Sequence, residues 1–524
     1  MSRFNLLDCT LRDGGYINDW NFGYKKICNI IKKLVEAEAD YIEIGFLRNC
    51  TYNKDITLFN TISELKQILP QNKANSNFSI MALHNLYDLN KLEQNDGTID
   101  VVRVTFHNYD IDEGLLFCRK VMDKGYNISC NPINIMGYSD LEILNLLEKI
   151  NNLFPFAFSI VDTFGSMLKT DLLRIYSLVE HNLEKSIHLG LHLHENLGLS
   201  YSLAQNFIEI SNTNRNAIID GSLLGMGRTP GNLCIELMMD YMNKFYNGHY
   251  ETNAAYDAID DYIMPIKEKE TWGYSTAYAL SAKYNLHRNY SEYLLGKGKL
   301  RAKDINQILA GIEADKKSAF DENYIESIYL AYQNNVIDDT ESKNYLQRIV
   351  NSRKKTLVLA PGNSLNTYKS KVDQYIKENN PIIISANYDD IIFEAQYNFY
   401  SNIRRYEQYV TNESEKTILI TSNVCKAASQ TSLAFNYYDL ACDEAGLFDN
   451  CVIMLLRLLY ILGVTEITIA GFDGFSESEP NYVNNGPISP KMNISGENRE
   501  IMNHVSKLRK KVEINFLTPS LYIE

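Results

Sequence analysis

The chain has 524 residues and lacks several features that would settle its class at once. There is no apolar run long enough to span a bilayer, no low-complexity tract and no internal repeat. Its nine cysteines stand singly, at positions 9, 28, 50, 118, 130, 234, 425, 442 and 451. With no Cys-x-x-Cys pair and an odd total they argue against a disulfide framework and a zinc knuckle, and read as buried free thiols. Basic residues are in deficit, 51 Lys and Arg against 65 Asp and Glu, for a formal net charge of −14. Long-range repulsion from phosphates therefore argues against a nucleic-acid partner, leaving room only for a local basic cleft around one phosphorylated metabolite. The opening MSRFNLLDCT carries no charged leader, apolar core or small-residue cleavage site, so a cytoplasmic protein is expected.

What is present, at 45% hydrophobic and 22% charged residues, is the composition of a globular protein. The length exceeds one ordinary core of ~100–250 residues, which predicts two or three domains. From residue 4 to about 245, eight β-branched or apolar runs read as strands. They are FNLLDCT (4–10), DYIEIGFL (40–47), FSIMALH (78–84), DVVRVTFH (100–107), NISCNPINI (127–135), FAFSIVDTFG (156–165), IHLGLHLHE (187–195) and AIIDGSLLG (217–225). Between them, stretches such as YKKICNIIKKLVEA, SDLEILNLLEKINNL and LLRIYSLVEHNL space apolar residues by three and four, as helices do. Eight such repeats predict a (β/α)8 TIM barrel.

In that fold, polar residues at the C-terminal ends of strands face the active site. The rule collects Arg12 and Asp13 after strand one, Glu43 in strand two, His84 after strand three, His107 on strand four, Asp162 and Thr163 on strand six, and His192 and His194 on strand seven. So many ionisable groups at one mouth are costly unless they bind something. Two histidines one residue apart on a strand share a face. With Asp13 across the barrel they complete a two-His, one-carboxylate set that leaves positions open for substrate.

DCTLRDG (8–14), GLHLHENLGLS (190–200) and GMGRTPGN (225–232) resemble, in order, three signatures of the DRE-TIM metallolyases. This HMGL-like family of metal-dependent aldolase and acyl-transferase barrels includes 4-hydroxy-2-oxovalerate aldolase, 3-hydroxy-3-methylglutaryl-CoA lyase and 2-isopropylmalate synthase. VVRVTFH (101–107) and VDTFGSM (161–167) add weaker echoes, and the likeness spans about residues 4–290. The resemblance implies that Asp13, His192 and His194 hold a divalent metal, Mn or Mg with Zn as the alternative, and that Asn232 is a further ligand. It also implies that Arg12 stabilises an enolate oxygen and that Thr163 contacts the keto-acid carboxylate. A 2-oxo acid would chelate such an ion through carboxylate and carbonyl oxygens. Where the hydroxy-oxovalerate aldolases carry a basic His after Arg-Asp-Gly, this chain has Tyr16, whose ordinary pKa of ~10 makes it a poor base at neutral pH. Tyr16 and His107 are the candidate proton carriers, with His84 nearby, and Glu43 is expected to hydrogen-bond Arg12.

After the charged NSRKK (351–355) strand character returns in TLVLAPGNSL (356–365), PIIISAN (381–387), KTILITSN (416–423) and EITIAGFDGF (466–475). Strands ending in polar or Gly-rich loops predict an open Rossmann-like sheet with a ligand at their C-terminal edge, and a Ser that caps a helix after the Pro-Gly turn would suit phosphate. These runs are similar to pterin pyrophosphokinase-like domains and to certain bacterial sialyltransferases. That likeness implies a nucleotide or nucleotide-linked sugar held by Gly362, Asn363, Ser364, Asn387 and Asp473, with Asn363 where Pro is usual.

The expected organisation is a catalytic barrel over 1–250, a helical extension over 251–350 like those that close some aldolases or form their dimer contacts, and a Rossmann-like domain over 351–524. The expected activity is a carbon–carbon lyase of aldolase type acting on a 2-oxo acid and an aldehyde, in a homo-oligomer, with surface-glycan precursors suggested by fold analogy. The alternatives are a Claisen enzyme using an acyl-CoA partner and a non-catalytic barrel that scaffolds a C-terminal transferase.

Overall fold

The computed structural model describes residues 3–211, 215–228, 230–353, 355–410, 417–427, 432–443, 446–476, 481–483 and 494–523. They divide into two units, Met1–Asn289 with Ile312–Phe320, and Tyr290–Gly311 with Asp321–Glu524.

The first unit is built on β1 (Phe4–Asp8), β2 (Tyr41–Leu47), β3 (Asn77–Leu83), β4 (Val101–Phe106), β5 (Asn127–Pro132), β6 (Ala157–Asp162), β7 (His188–Leu193) and β8 (Ala217–Gly221). All pair in parallel with their neighbours, and β1 pairs with both β2 and β8, so the sheet closes into a (β/α)8 barrel. A two-residue strand, Leu58–Phe59, adds to β2. Parallel strands covered on both faces are apolar almost throughout; β2 is buried along its whole length. AIIDGSLLG is strand only to Gly221, because Leu223 N–H leaves the ladder to donate to Thr10 Oγ1 at 2.8 Å and a 3-10 turn follows. Helix Tyr24–Glu36 buries Ile27, Ile30, Ile31 and Leu34, the stripe that three- and four-residue spacing produces. Helix Asp140–Leu153 starts at a capping box of Ser139 and Glu142. Leu7, Tyr41, Val101, Ala157 and Ile218, from five strands, form an apolar cluster of their own, as expected of a packed barrel rather than a pore.

The second unit holds seven parallel strands, β9 (Thr356–Leu359), β10 (Ile382–Ala386), β11 (Tyr397–Tyr400), β12 (Thr417–Thr421), β13 (Leu433–Phe435), β14 (Glu466–Ala470) and β15 (Glu513–Phe516). Their order is β13-β12-β11-β10-β9-β14-β15. The chain builds outwards from β9 and then returns to its other side, which puts the topological switch point between β9 and β14. Helix Cys451–Ile461 is buried from Cys451 to Leu459 and anchors this unit's core. Of the helices between barrel and sheet, Thr252–Ala258 and Thr276–Lys283 lie in the first unit, whereas Ala302–Ala310, Glu322–Gln333 and Thr340–Ser352 lie in the second. All nine cysteines are free, and among the described residues no helix is long and apolar enough to cross a membrane.

Candidate metal centre

After β1 the chain turns tightly, with Cys9 O accepting from Arg12 N at 3.1 Å and from Asp13 N at 2.8 Å. The turn lifts two charged side chains over the barrel mouth while keeping both buried. His192 lies near the end of β7 and His194 just beyond it. One ligand atom from each of Asp13, His192 and His194 falls within 4.8 Å of the others.

Each imidazole is oriented through its second nitrogen. His192 Nδ1 lies 3.0 Å from Asp220 Oδ2, and His194 Nδ1 lies 3.0 Å from the carbonyl oxygen of Asp162. Nε2 of His194 is then 3.6 Å from Asp13 Oδ2. Such outer partners fix ring orientation in metal sites. Behind the ligands runs a buried chain of alternating charge. Arg12 Nη1 bonds Asp13 Oδ1, and Arg12 Nε donates to Glu43 Oε2 at 2.6 Å. Glu43 Oε2 is also 3.1 Å from Arg103 Nη1, and Arg103 Nη2 bonds Asp220, which returns the chain to His192. Burial pushes the Asp13 carboxyl up, but Arg12 and the two histidines outweigh it and hold its pKa well below the usual carboxylate range. Burial likewise raises Asp220, yet Arg103 and His192 bring it below its ordinary value. For His192 burial wins over Asp220 and lowers the pKa, which favours the neutral ring a metal needs.

A divalent ion fits this set on one further observation. Asn232 Nδ2 donates to Asp13 Oδ2 at 2.7 Å, while its Oδ1 is buried with no hydrogen-bond partner. An amide oxygen left bare beside a carboxylate and two imidazoles is an uncompensated cost unless a cation takes its lone pairs.

The other residues singled out in the sequence spread around the mouth. Asp162 accepts from the amides of Ser166 at 2.9 Å and Met167 at 3.0 Å, shaping the loop after β6. Gly165 has φ +56 there, and a Cβ on it would lie 2.4 Å from Asn196 Oδ1, so only glycine fits. Thr163 Oγ1 accepts from Asn134 N at 2.7 Å and lines a small cavity with His194. Tyr16 packs edge-on against Trp20, with centroids 4.7 Å apart, and lies 5.5 Å from the Arg228 guanidinium. His84 Nε2 and His107 Nδ1 share Asp110 Oδ2 at 2.9 and 3.5 Å, and His107 stacks on Tyr109. Sequence reasoning missed Arg103, Asp220, Asn196, Arg228, His287 and Arg288. The first two carried a readable signal, a lone charge inside an otherwise apolar parallel strand.

In the second unit a cavity of about 560 Å³ opens at the switch point, lined by the loops after β9 and β14. Gly362, Asn387 and Asp473 line it, whereas Asn363 and Ser364 do not. Ser364 does not cap a helix. Its N–H donates to Asp473 Oδ2 at 2.7 Å, its hydroxyl bonds Asp473 Oδ1, and the helix that follows has only four residues. The expected phosphate-binding turn is thus already filled by a carboxylate. Among the described residues the cationic groups at this cavity are Lys297, Lys299 and Arg405, beside the carboxylates of Asp449, Asp473, Glu497 and Glu500, and Lys299 is ion-paired with Asp449.

Fold and donor set define the class, a (β/α)8 barrel with a two-His, one-carboxylate candidate centre at its mouth. Residues 111–260 match the HMGL-like family model, so the chain carries an HMGL-like domain. It is similar to the 4-hydroxy-2-oxovalerate aldolase of Moorella thermoacetica, 24% identical over 279 residues that cover 51% of this chain and 78% of that protein. It is also similar to the oxaloacetate decarboxylase of Mycobacterium tuberculosis, 22% identical over 247 residues, covering 47% and 70%. Among solved structures, the N-terminal domain of a Bacteroides vulgatus protein provisionally classed as an aldolase aligns at 25% identity and a TM-score of 0.49, covering 56% of this chain and 96% of that one.

Proposed function

We propose that the barrel is a divalent-metal-dependent carbon–carbon lyase of aldolase type, which splits or forms the bond between a 2-oxo acid and an aldehyde. The observation that carries this reading is the convergence of Asp13, His192 and His194 with a guanidinium, Arg12, bonded to the same carboxylate. The relatives named for aldol cleavage and decarboxylation both release carbon from a 2-oxo acid, which agrees with it.

Asp13, His192, His194 and Asn232 would hold the ion, which when bound polarises the 2-oxo group. Arg12, pinned by Glu43 and Asp13, presents a fixed positive charge to the oxygen that gains charge as the bond breaks. In the cleavage direction the hydroxyl at C4 loses its proton, the C3–C4 bond breaks, and its electron pair passes to C3 and the carbonyl oxygen as an enolate. The aldehyde departs, and C3 takes a proton to give the 2-oxo acid. We assign the C4 proton to a relay through Tyr16, whose neutral hydroxyl accepts it from the C4 oxygen while passing its own proton to water; that hydroxyl has no hydrogen-bond partner among the described residues, whereas His107 is held by Asp110 and Tyr109. The crevice of the second unit is read as a nucleotide or nucleotide-sugar site, on its size and its place at the switch point.

Purified protein supplied with Mn²⁺ and a panel of 2-oxo acids and aldehydes tests the reaction. Aldol product is expected, with acetyl-CoA inert and with a rate loss on the order of 10²–10³ in Arg12→Lys. Metal analysis tests the site itself: a His192→Ala, His194→Ala variant that keeps full metal stoichiometry overturns the ligand assignment. Thermal stabilisation by cytidine or guanosine nucleotides tests the crevice, and absence of any shift overturns that part alone.

A further inference from the structure

No hydrogen bond holds the Tyr16 hydroxyl among the described residues, so packing decides where the proton relay of the reading above stands. Its ring meets Trp20 edge-on at 4.7 Å between centroids, Phe46 at 6.1 Å and the Arg228 guanidinium at 5.5 Å, which makes Trp20 the nearest of the three. Trp20 and Phe46 lie 5.7 Å apart and close the group. Trp20 in turn is bonded at every polar atom. Its indole Nε1 donates to Arg12 O at 2.8 Å and its backbone N–H to Gly15 O at 2.8 Å, while its carbonyl oxygen accepts from Thr57 N–H at 3.1 Å and Phe22 N–H at 3.2 Å. The indole closes over Gly15, where a Cβ would lie 2.0 Å from Trp20 Cδ1. To bring it there the chain passes through two left-handed residues that are not glycine, Asp19 at φ +53 and Trp20 at φ +58. That conformation is rare for a bulky side chain, and it persists only where the surroundings over-determine it.

One end of this chain of contacts is fixed and the other is not. Arg12 is pinned through its guanidinium by Glu43 and Asp13, and through its carbonyl by the indole. Among the described residues the Tyr16 side chain has only ring contacts. We infer that Trp20 is a positioning residue, which carries the fixed place of Arg12 over to Tyr16 and so aligns the proton relay with the guanidinium that meets the enolate. The inference rests on the aldolase reading above, with Tyr16 as the relay. Trp20 touches no reacting atom in that scheme. Forming the enolate from a 2-oxo acid alone draws on Arg12 and the ion, whereas removing the C4 proton draws on Tyr16. Loss of Trp20 should therefore fall on the C4 step, where a misplacement of about 1 Å can cost roughly 10²-fold.

Two rates measured on the Mn²⁺-loaded full chain separate these steps. One is aldol turnover of pyruvate with acetaldehyde and the other aldehydes of the panel above. The second is deuterium exchange at C3 of pyruvate alone, followed by proton NMR, which reads enolate formation without an aldehyde. Trp20→Phe removes the indole N–H and keeps a ring, whereas Trp20→Leu removes both. In Trp20→Leu aldol kcat is expected to fall at least tenfold, and in Trp20→Phe by less, while the exchange rate and the calorimetric affinity for oxalate stay within about threefold. In a Tyr16→Phe background Trp20→Leu should cost less than about threefold further, because the two groups act as a unit. Should Trp20→Leu fail to fold, Gly15→Ala displaces the indole and carries the same comparisons. Aldol kcat that stays within threefold of the wild type overturns the inference, as does full additivity with Tyr16→Phe. It is overturned too if exchange and oxalate affinity fall in parallel with turnover, since Trp20 would then only hold the mouth together. Unchanged turnover in Tyr16→Phe removes the relay and the inference built on it. A wild type that forms no aldol product overturns the aldolase reading itself, and this inference with it.

Discussion

The mouth of the barrel and the crevice of the second unit both sit at the C-terminal ends of parallel strands, yet the first is filled by ion-paired side chains and the second is open. At the mouth, Arg12, Glu43, Arg103, Asp220 and His192 form a continuous buried chain of ion pairs, in which Glu43 Oε1, Arg103 Nη1 and Asp220 Oδ1 keep no hydrogen-bond partner. At the crevice there is room for a ligand of some size, and two of its lining side chains, Asn387 through Oδ1 and Tyr388 through its hydroxyl, are buried without partners. A closed charge network suits a small ion and a developing negative charge, because its dipoles are paid for on folding rather than during reaction. An open cleft of about 560 Å³ suits a larger molecule.

The sharpest way to break this contrast is to cut the barrel network behind the ligands. Arg103→Met leaves Glu43 and Asp220 as neighbouring buried carboxylates without their shared cation. A loss of about 3–5 kcal/mol is expected, as for other broken buried pairs. Asp220, which orients His192, also loses the guanidinium that fixes it, so metal affinity should fall by about 10–100-fold. Denaturant unfolding and metal titration read the two effects. A variant as stable as the wild type would show that the network is not what holds the mouth.

A smaller effect is expected in the second unit. A Cβ at Gly362 would lie 2.3 Å from Gly471 O and 2.6 Å from the Asp473 carboxyl group. Gly362→Ala must therefore spread the loops after β9 and β14, at a cost of about 1–3 kcal/mol. Hydrogen exchange should accelerate in peptides covering 356–365 and 466–475, with metal stoichiometry at the barrel unchanged. Loss of metal in this variant would mean that the two sites are energetically coupled.

The barrel was legible because its rule is simple: apolar runs bounded by polar residues, repeated eight times, put every mouth residue at a strand end. Asp13, His192 and His194 come together across about 180 residues of chain for that reason. Arg103 and Asp220 were passed over because a charge inside VVRVTF or AIIDG counts as one exception to an apolar run; only pairing shows that the two exceptions answer each other. Arg228, His287 and Arg288 lie in a loop and a helical connection far apart in sequence, where no periodicity links them. In the second unit YNFY, LAF and EINF are too short and too mixed to stand out as strands, so β11, β13 and β15 emerge only from the sheet. Reading Ser364 as a helix cap failed because the competing acceptor, Asp473, is 109 residues away.

That acceptor offers the finest test of the comparison, since it asks whether a charge in the crevice is as firmly held as those in the barrel. Burial raises the Asp473 pKa, and the hydrogen bonds from Ser364 only partly offset this. Asp13 and Asp220 are shifted the other way, because each has a guanidinium against it. A carboxyl whose folded pKa is raised contributes stability below its unfolded pKa of ~4 and loses that contribution as pH rises through the folded value. Asp473→Asn removes the titration but keeps the shape: its Oδ1 accepts the Ser364 N–H, and its Nδ2 donates to Ser364 Oγ, which becomes the acceptor. At low pH the exchange should cost no more than about 0.5–1 kcal/mol. As pH rises above the ordinary carboxylate range the wild type should weaken while the variant does not, so the difference narrows or reverses. Exchange rates in the 466–475 peptide from pH 5 to 8, corrected for the intrinsic rate, measure it. If the difference instead widens with pH, the ionised Asp473 is stabilised in the fold, and the crevice holds its charge as firmly as the barrel mouth does.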